Sequence, residues 1–111
     1  MTIKKLKVID IGHSNFNVER AIVSLETEIS QSMFNGKHKA IKVITGHGSG
    51  ALKKAVREWC DDQEGRFKAV IFGEKYNMFN KNASDMRFEC EIKNDLDFGR
   101  NNTGVLFIWF W

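Results

Sequence analysis

The sequence predicts a two-layer α/β sandwich of β-α-β-α-β-(insert)-β order, built on a mixed sheet of four or more strands. Three observations carry this. Two short apolar runs are each followed by a segment whose apolar residues recur at three- and four-residue steps. A last apolar run, residues 105–111, closes the chain. The 111 residues, 42% hydrophobic, are enough for one core, so residues 1–111 read as one domain.

Residues 3–11 read as the first strand, because Leu6 and Val8 alternate with Lys5 and Lys7. "GHSNFN" then supplies turn chemistry, and Asn17 is placed to cap a helix. Val18, Ala21, Ile22, Leu25, Ile29 and Met33 form one helical stripe, with Gly36 where a C′ glycine belongs. Residues 40–45 are the second strand. A helix over residues 51–60 follows, with Leu52, Ala55, Val56 and Trp59 on one face and Lys53, Lys54 and Arg57 on the other. Residues 67–72 are the third strand. Residues 105–110 are the fourth, apolar on both faces and therefore central or covered on both sides.

Residues 73–98 are an elaboration before that last strand. Met86, Phe88, Cys90 and Ile92 alternate like a strand, while Phe79, Ala83, Met86 and Cys90 fit a helical stripe. The pattern leaves both readings open. A structureless connection of this length is unusual, so something folds there.

Between the second strand and second helix lies "GHGSG", with Gly46, Gly48 and Gly50 at every second position. A strand, a glycine-rich turn and a helix start can cradle an anion. The first N–H groups of the helix lack partners, its dipole is positive there, and glycines admit positive φ. Ser49 adds a hydroxyl, and Lys53 and Lys54 add charge one turn on. The plain alternative is a tight turn that lets the helix close on the sheet. The loop is neither a P-loop, since Gly-Lys-Ser/Thr is missing, nor a dinucleotide fingerprint, since no third glycine follows Gly48 at the required spacing.

Asp10 ends the first strand, at the position where α/β sheets build sites. It can orient a histidine, bind a divalent ion or activate water, or simply cap the turn. His13 and His47 lie in neighbouring loops. Phosphodiester cleavage needs a proton acceptor and a proton donor, and two imidazoles supply both without a metal. The alternative is two exposed turn histidines. Lys53, Lys54 and Arg57 would contact phosphates, giving affinity without sequence choice, or form a solvated helix face. Trp109, Phe110 and Trp111 can stack bases, but inward residues of a last strand belong more often to the core.

Net charge is +3, unevenly divided: residues 1–57 carry 10 Lys/Arg against 4 Asp/Glu, and residues 58–111 carry 7 against 10. The basic half, which holds the glycine loop, fits an anionic partner. Cys60 and Cys90 are far apart, without a CxxC or a neighbouring histidine pair, so no metal framework and no resident cofactor is expected. Free thiols, no leader-like segment and no run able to span a bilayer point to the cytoplasm. An exposed Trp111 on a sheet edge would mark a homodimer contact through the C-terminal strand.

"VITGHGSGALKKAVREW" resembles the second signature of the small MutS-related (Smr) domain family: an apolar strand, His/Thr-Gly-x-Gly-x-Gly, then Leu and a basic residue. The first signature, a strand ending Leu-Asp-x-His-Gly, is matched in "VIDIGHSNFNVERAI" at Asp10, but Gly12 stands at the histidine's place and His13 follows. "NNTGVLFIWF" is similar to the closing Gly-x-Gly-x-Thr strand, with Asn102 for one glycine. The resemblance implies a β-α-β-α-β-β sandwich that binds DNA or RNA, with nicking or cutting by some members. It implies phosphate contacts at Gly46, Gly48, Ser49, Gly50, Lys53, Lys54 and Arg57, and a catalytic role for Asp10, His13 and His47. The displaced histidine sets a second class beside this one: a non-enzymatic module on the same scaffold for a protein or small anion.

Overall fold

The computed structural model describes residues 5–12 and 17–111. Its elements are β1 (Leu6–Asp10), α1 (Val18–Asn35), β2 (Ala40–Ile44), α2 (Ala51–Asp62), β3 (Ala69–Phe72), a 3-10 turn (Gly73–Lys75), α3 (Lys81–Glu89) and β4 (Val105–Trp109).

The local signals place the helices well. The Asn17 side chain accepts from the Arg20 N–H at 2.9 Å and starts α1. Gly36, at φ 68°, returns its N–H to the Ser32 carbonyl and ends it. Ala21, Leu25 and Ile29 of the stripe are buried. The stripe drifts in the last turn, where Ser32 is buried and Met33 is 39% exposed. A three-residue step from Ile29 reaches the sheet, and a four-residue step overshoots it.

The sheet order is β1-β2-β4-β3. β1 and β2 are parallel, and β4 is antiparallel to both β2 and β3. Hence β1, β2 and β3 all run the same way, and their C-terminal ends share one edge with the start of β4. All five residues of β4 are buried, as a strand apolar on both faces requires. β4 has a hydrogen-bonded neighbour on each side, so it is not an edge strand of the sheet. Trp109 and Phe110 belong to the core, while Trp111 is 78% exposed and its indole N–H donates to the Gly65 carbonyl at 3.4 Å.

α1 and α2 cover one face. Leu25, Ile29, Val56 and Cys60 pack there against Ile41, Val43, Leu106 and Ile108. Residues 73–98 fold over the other face, where Tyr76, Ala83, Met86 and Cys90 meet Ile71, Val105, Phe107 and Trp109. The helical reading of this elaboration prevails. The Asn80 side chain accepts from the Ala83 N–H at 3.0 Å and caps α3, which buries Ala83 and Met86 and leaves Phe79 and Phe88 outside. Without this cover, Phe107 and Trp109 would face water. Among the described residues no helix is long and apolar enough to cross a membrane.

A polar cluster fastens the elaboration to the sheet. Lys42 of β2 projects to this second face and bridges Asp95 at 2.8 Å and Asp97 at 2.6 Å. The Tyr76 hydroxyl donates to Asp95 at 3.2 Å, and the Asn102 amide donates to Asp97 at 2.8 Å. Burial opposes the Lys42 charge, but hydrogen bonds to the two carboxylates outweigh it and raise its pKa. Burial likewise opposes the Asp97 charge, and hydrogen bonds from Lys42 and Asn102 outweigh it and lower its pKa. Part of the charge asymmetry of the sequence is therefore cancelled internally, across its two halves.

The signs give a pH window. Asp97 adds stability that is complete above its ordinary pKa of 3.8 and lost as pH falls through its lower folded value. Lys42 adds stability that is complete below 10.5 and lost as pH rises through its higher folded value. Thermal midpoints should show a matching decline at each end. Lys42→Ala should lower unfolding free energy by about 3 kcal/mol in urea titrations, because it strands two carboxylates that are largely buried.

Candidate functional site

The C-terminal ends of β1 and β2 lie side by side, with Asp10 level with Ile44. The two following loops therefore open on the same edge of the sheet. The Ile11 and Gly12 N–H groups both donate to the Ile44 carbonyl, at 3.0 and 3.1 Å. Asp10 Oδ1 accepts from the Gly12 N–H at 3.0 Å, a local turn bond. On the other side, the Thr45 and Gly46 N–H groups both donate to the Gly104 carbonyl, at 2.8 and 3.1 Å. The buried Thr45 hydroxyl donates to the same oxygen at 3.1 Å.

The glycine loop has the backbone that its composition calls for. Gly46, Gly48 and Gly50 lie at φ 69°, 38° and 86°, a region that side chains with a Cβ disfavour. The Gly50 N–H closes on the His47 carbonyl at 2.9 Å, and the Gly50 carbonyl accepts the first helical bond, from Lys54. Ser49 Oγ accepts from the Ala51 N–H at 3.3 Å, which leaves the hydroxyl proton to donate outward. The N–H groups of Gly48, Ser49, Leu52 and Lys53 donate to no acceptor among the described residues. They gather at the positive end of a 12-residue helix. A cleft of about 350 Å³ lies over them, lined on one side by Ile11 and Gly12 and on the other by residues 45–50, Leu52 and Lys53.

Thr103 organises the side chains at the cleft's rim. Its hydroxyl lies 3.2 Å from Lys53 Nζ and 3.4 Å from His47 Nδ1. Its carbonyl accepts from Arg57 at 3.3 Å. Sequence reasoning missed this residue. The available signal was its place in "NNTG", the loop that enters the last strand at the same edge.

The predicted site residues therefore separate into groups. Gly46, His47, Gly48, Ser49, Gly50 and Lys53 line one cleft. Lys54 is exposed on the first turn of α2, outside that lining. Asp10 stands at the end of the adjacent strand, two residues before the cleft-lining Gly12. His13 lies outside the described residues. Arg57 departs from its expected role as a phosphate contact: its guanidinium grips Glu74 with two bonds of 2.7 Å and stacks 4.2 Å over Phe72. This bidentate bond holds the Glu74 carboxyl below its ordinary pKa. Arg57 thus clamps the Thr103 loop and the 3-10 turn together. Among the described residues, no group of three or more His, Cys, Asp or Glu side chains is placed to hold a metal ion.

Gly12, at the position where the resemblance expects a histidine, has no room for a side chain. A Cβ built there would lie 2.4 Å from the Thr45 carbonyl oxygen and 2.6 Å from its carbon, both backbone atoms. Any side chain at this position would have to drive β1 and β2 apart.

The Smr domain family matches residues 13–75 of the chain. No curated protein matches it. Among solved structures, the Smr domain of Thermus thermophilus MutS2 superposes with a TM-score of 0.60. It is 16% identical, with 95% of this chain and 98% of that one covered. A likeness at that identity speaks for the fold. It extends over most of residues 73–98 as well, although the family match stops at residue 75.

Gly12→His, which puts a histidine where the resemblance expects one, should destabilise the domain by about 1–3 kcal/mol, the usual toll of overpacking. The shift of the urea midpoint measures it. Unchanged stability would show that the two strands can part at this point.

Proposed function

Since this chain belongs to the Smr domain family, we propose that it binds the sugar–phosphate backbone of nucleic acid at the C-terminal edge of its sheet. One observation carries the reading: four N–H groups, of Gly48, Ser49, Leu52 and Lys53, that donate to no acceptor among the described residues lie at the positive end of α2 beside an open cleft. A phosphate oxygen is the acceptor such a cluster suits, and positive φ at the glycines lets it approach the backbone. The Ser49 hydroxyl and the Lys53 ammonium add donors from either side. Lys54, exposed one residue on, supplies a second point charge to the flanking phosphate.

Where a strand is cut, His47 is the group in reach of the phosphate. Its Nδ1 lies 3.4 Å from the Thr103 hydroxyl, a contact that would orient the ring and leave Nε2 to move a proton to or from a phosphodiester oxygen. Asp10, which ends β1, and His13, three residues on in the sequence, would supply the complementary proton step. The second reading is a module that binds without cutting, and Gly12 favours it, because the family's histidine position holds no side chain here.

Affinity should fall with salt, with a log–log slope set by the number of phosphates met. Lys53→Ala with Lys54→Ala should flatten that slope by about two, one per lost contact, evenly across sequences. Arg57→Ala should act mainly through a looser Thr103 loop and leave the slope nearly unchanged. A slope indifferent to both lysines, in fluorescence anisotropy with a labelled oligonucleotide, would refute phosphate binding at this edge. His47→Ala should abolish any cleavage and leave anisotropy within about twofold, as a proton-transfer group outside the binding contacts would.

A further inference from the structure

A second cleft, of about 420 Å³, opens where α3 begins, lined by Lys75, Asn77, Phe79, Asn80, Lys81 and Asn82. Its Lys75 belongs to the 3-10 turn that follows β3. β3 delivers the chain to the C-terminal edge of the sheet, the 3-10 turn follows at once, and α3 then runs back toward the far edge, where Glu89 meets the indole of Trp109. Arg57 lies between the two clefts: it donates to the Thr103 backbone carbonyl and grips Glu74, the residue before Lys75.

The lining has an uncommon make-up. Phe79 is 90% exposed, yet its backbone is held, with its N–H donating to Asn77 Oδ1 at 2.9 Å. The ring is an apolar plate presented to water on a fixed turn. Both neighbouring amides are oriented by backbone donors: Asn77 Oδ1 by Phe79, and Asn80 Oδ1 by Ala83 at 3.0 Å. What each amide has left to donate is its Nδ2–H pair. Lys75 and Lys81 add ammonium donors, Lys81 while paired with Asp85 at 2.8 Å. No carboxylate lines the cleft among the described residues. An apolar plate ringed by hydrogen-bond donors suits a flat heterocycle with carbonyl acceptors on its edge and a phosphate attached.

We propose that this cleft receives an unpaired base of the strand whose backbone rests on the glycine loop, so that the domain prefers single-stranded nucleic acid. The base stacks on Phe79, its carbonyl edge faces the Asn77 and Asn80 amides, and the flanking phosphate meets Lys75. A paired base keeps both faces in the duplex stack and cannot enter. The inference rests on the phosphate reading of the glycine loop and deepens it.

The test compares a single-stranded oligothymidine with a duplex of the same length, by anisotropy. Phe79→Ala should weaken single-strand binding by about 5- to 150-fold, the range for one stacked base, and leave duplex binding within twofold. The salt slope should stay constant, since no charge is removed. Phe79→Trp should restore the affinity. Because the ring is exposed, the alanine variant keeps the packing of the fold. Equal single-strand affinity for Phe79→Ala and the parent, with Lys53→Ala/Lys54→Ala still weakened, would overturn the base site and leave the glycine-loop reading standing. Equal loss on strand and duplex would also overturn it. Failure of the parent protein to bind either form would overturn both.

Discussion

The edge that carries the glycine loop depends on three stretches of backbone meeting at Thr45. Gly12 approaches its carbonyl from β1, and the Gly104 carbonyl takes its N–H and hydroxyl from β4. Buried peptide groups must be paired, and here loops pair them rather than a regular ladder. The consequence reaches the site directly. Residue 46 is the first of the glycine loop, so the anchor that fixes Thr45 also fixes where α2 begins and where its first N–H groups point. Gly73 repeats the device on the third parallel strand, where a Cβ would fall 1.8 Å from the Asn102 carbonyl oxygen. Side chains are excluded from this seam so that backbones can touch.

The second face of the sheet serves the same edge from behind. Lys42, Asp95 and Asp97 are an expensive set to bury, and apolar residues would hold the layer at least as firmly. Their effect is directional. Asp97 accepts from the Asn102 amide, whose Oδ1 in turn accepts from the Gly104 N–H at 2.9 Å. Thr103 sits between these two anchored residues and touches Lys53 and His47. The elaboration over residues 73–98 thus covers Phe107 and Trp109 and also braces the loop at the rim of the cleft.

The basic face of α2 divides its labour by depth. Arg57, partly buried, turns its planar fork onto a carboxylate and an aromatic ring, partners that suit a guanidinium better than an ammonium. Lys53 rests on a hydroxyl at the rim, and Lys54 stands in solvent. Three residues of one charge and one helical face therefore do three different things. Only the two lysines keep a charge available to an anion.

Much of this was legible in the chain itself. Periodicity located α1, α2 and the strands, because a 3.6-residue or two-residue repeat must answer to a single buried face. Asn17 and Gly36 marked the ends of α1 by chemistry local to the chain. The doubly apolar last strand told of its central place, and the glycine spacing told of positive φ before a helix. Decisions between distant residues were not legible. Helix or strand for residues 81–89 turned on which face of the sheet needed cover, since Met86 and Cys90 satisfied both periods. Whether Arg57 met phosphate or protein was decided by Glu74, 17 residues away, and the role of Thr103 by α2 arriving beside it. Sequence carries one-dimensional repeats and local caps. Which charge finds which partner, and where backbones may touch, is fixed only when the layers close.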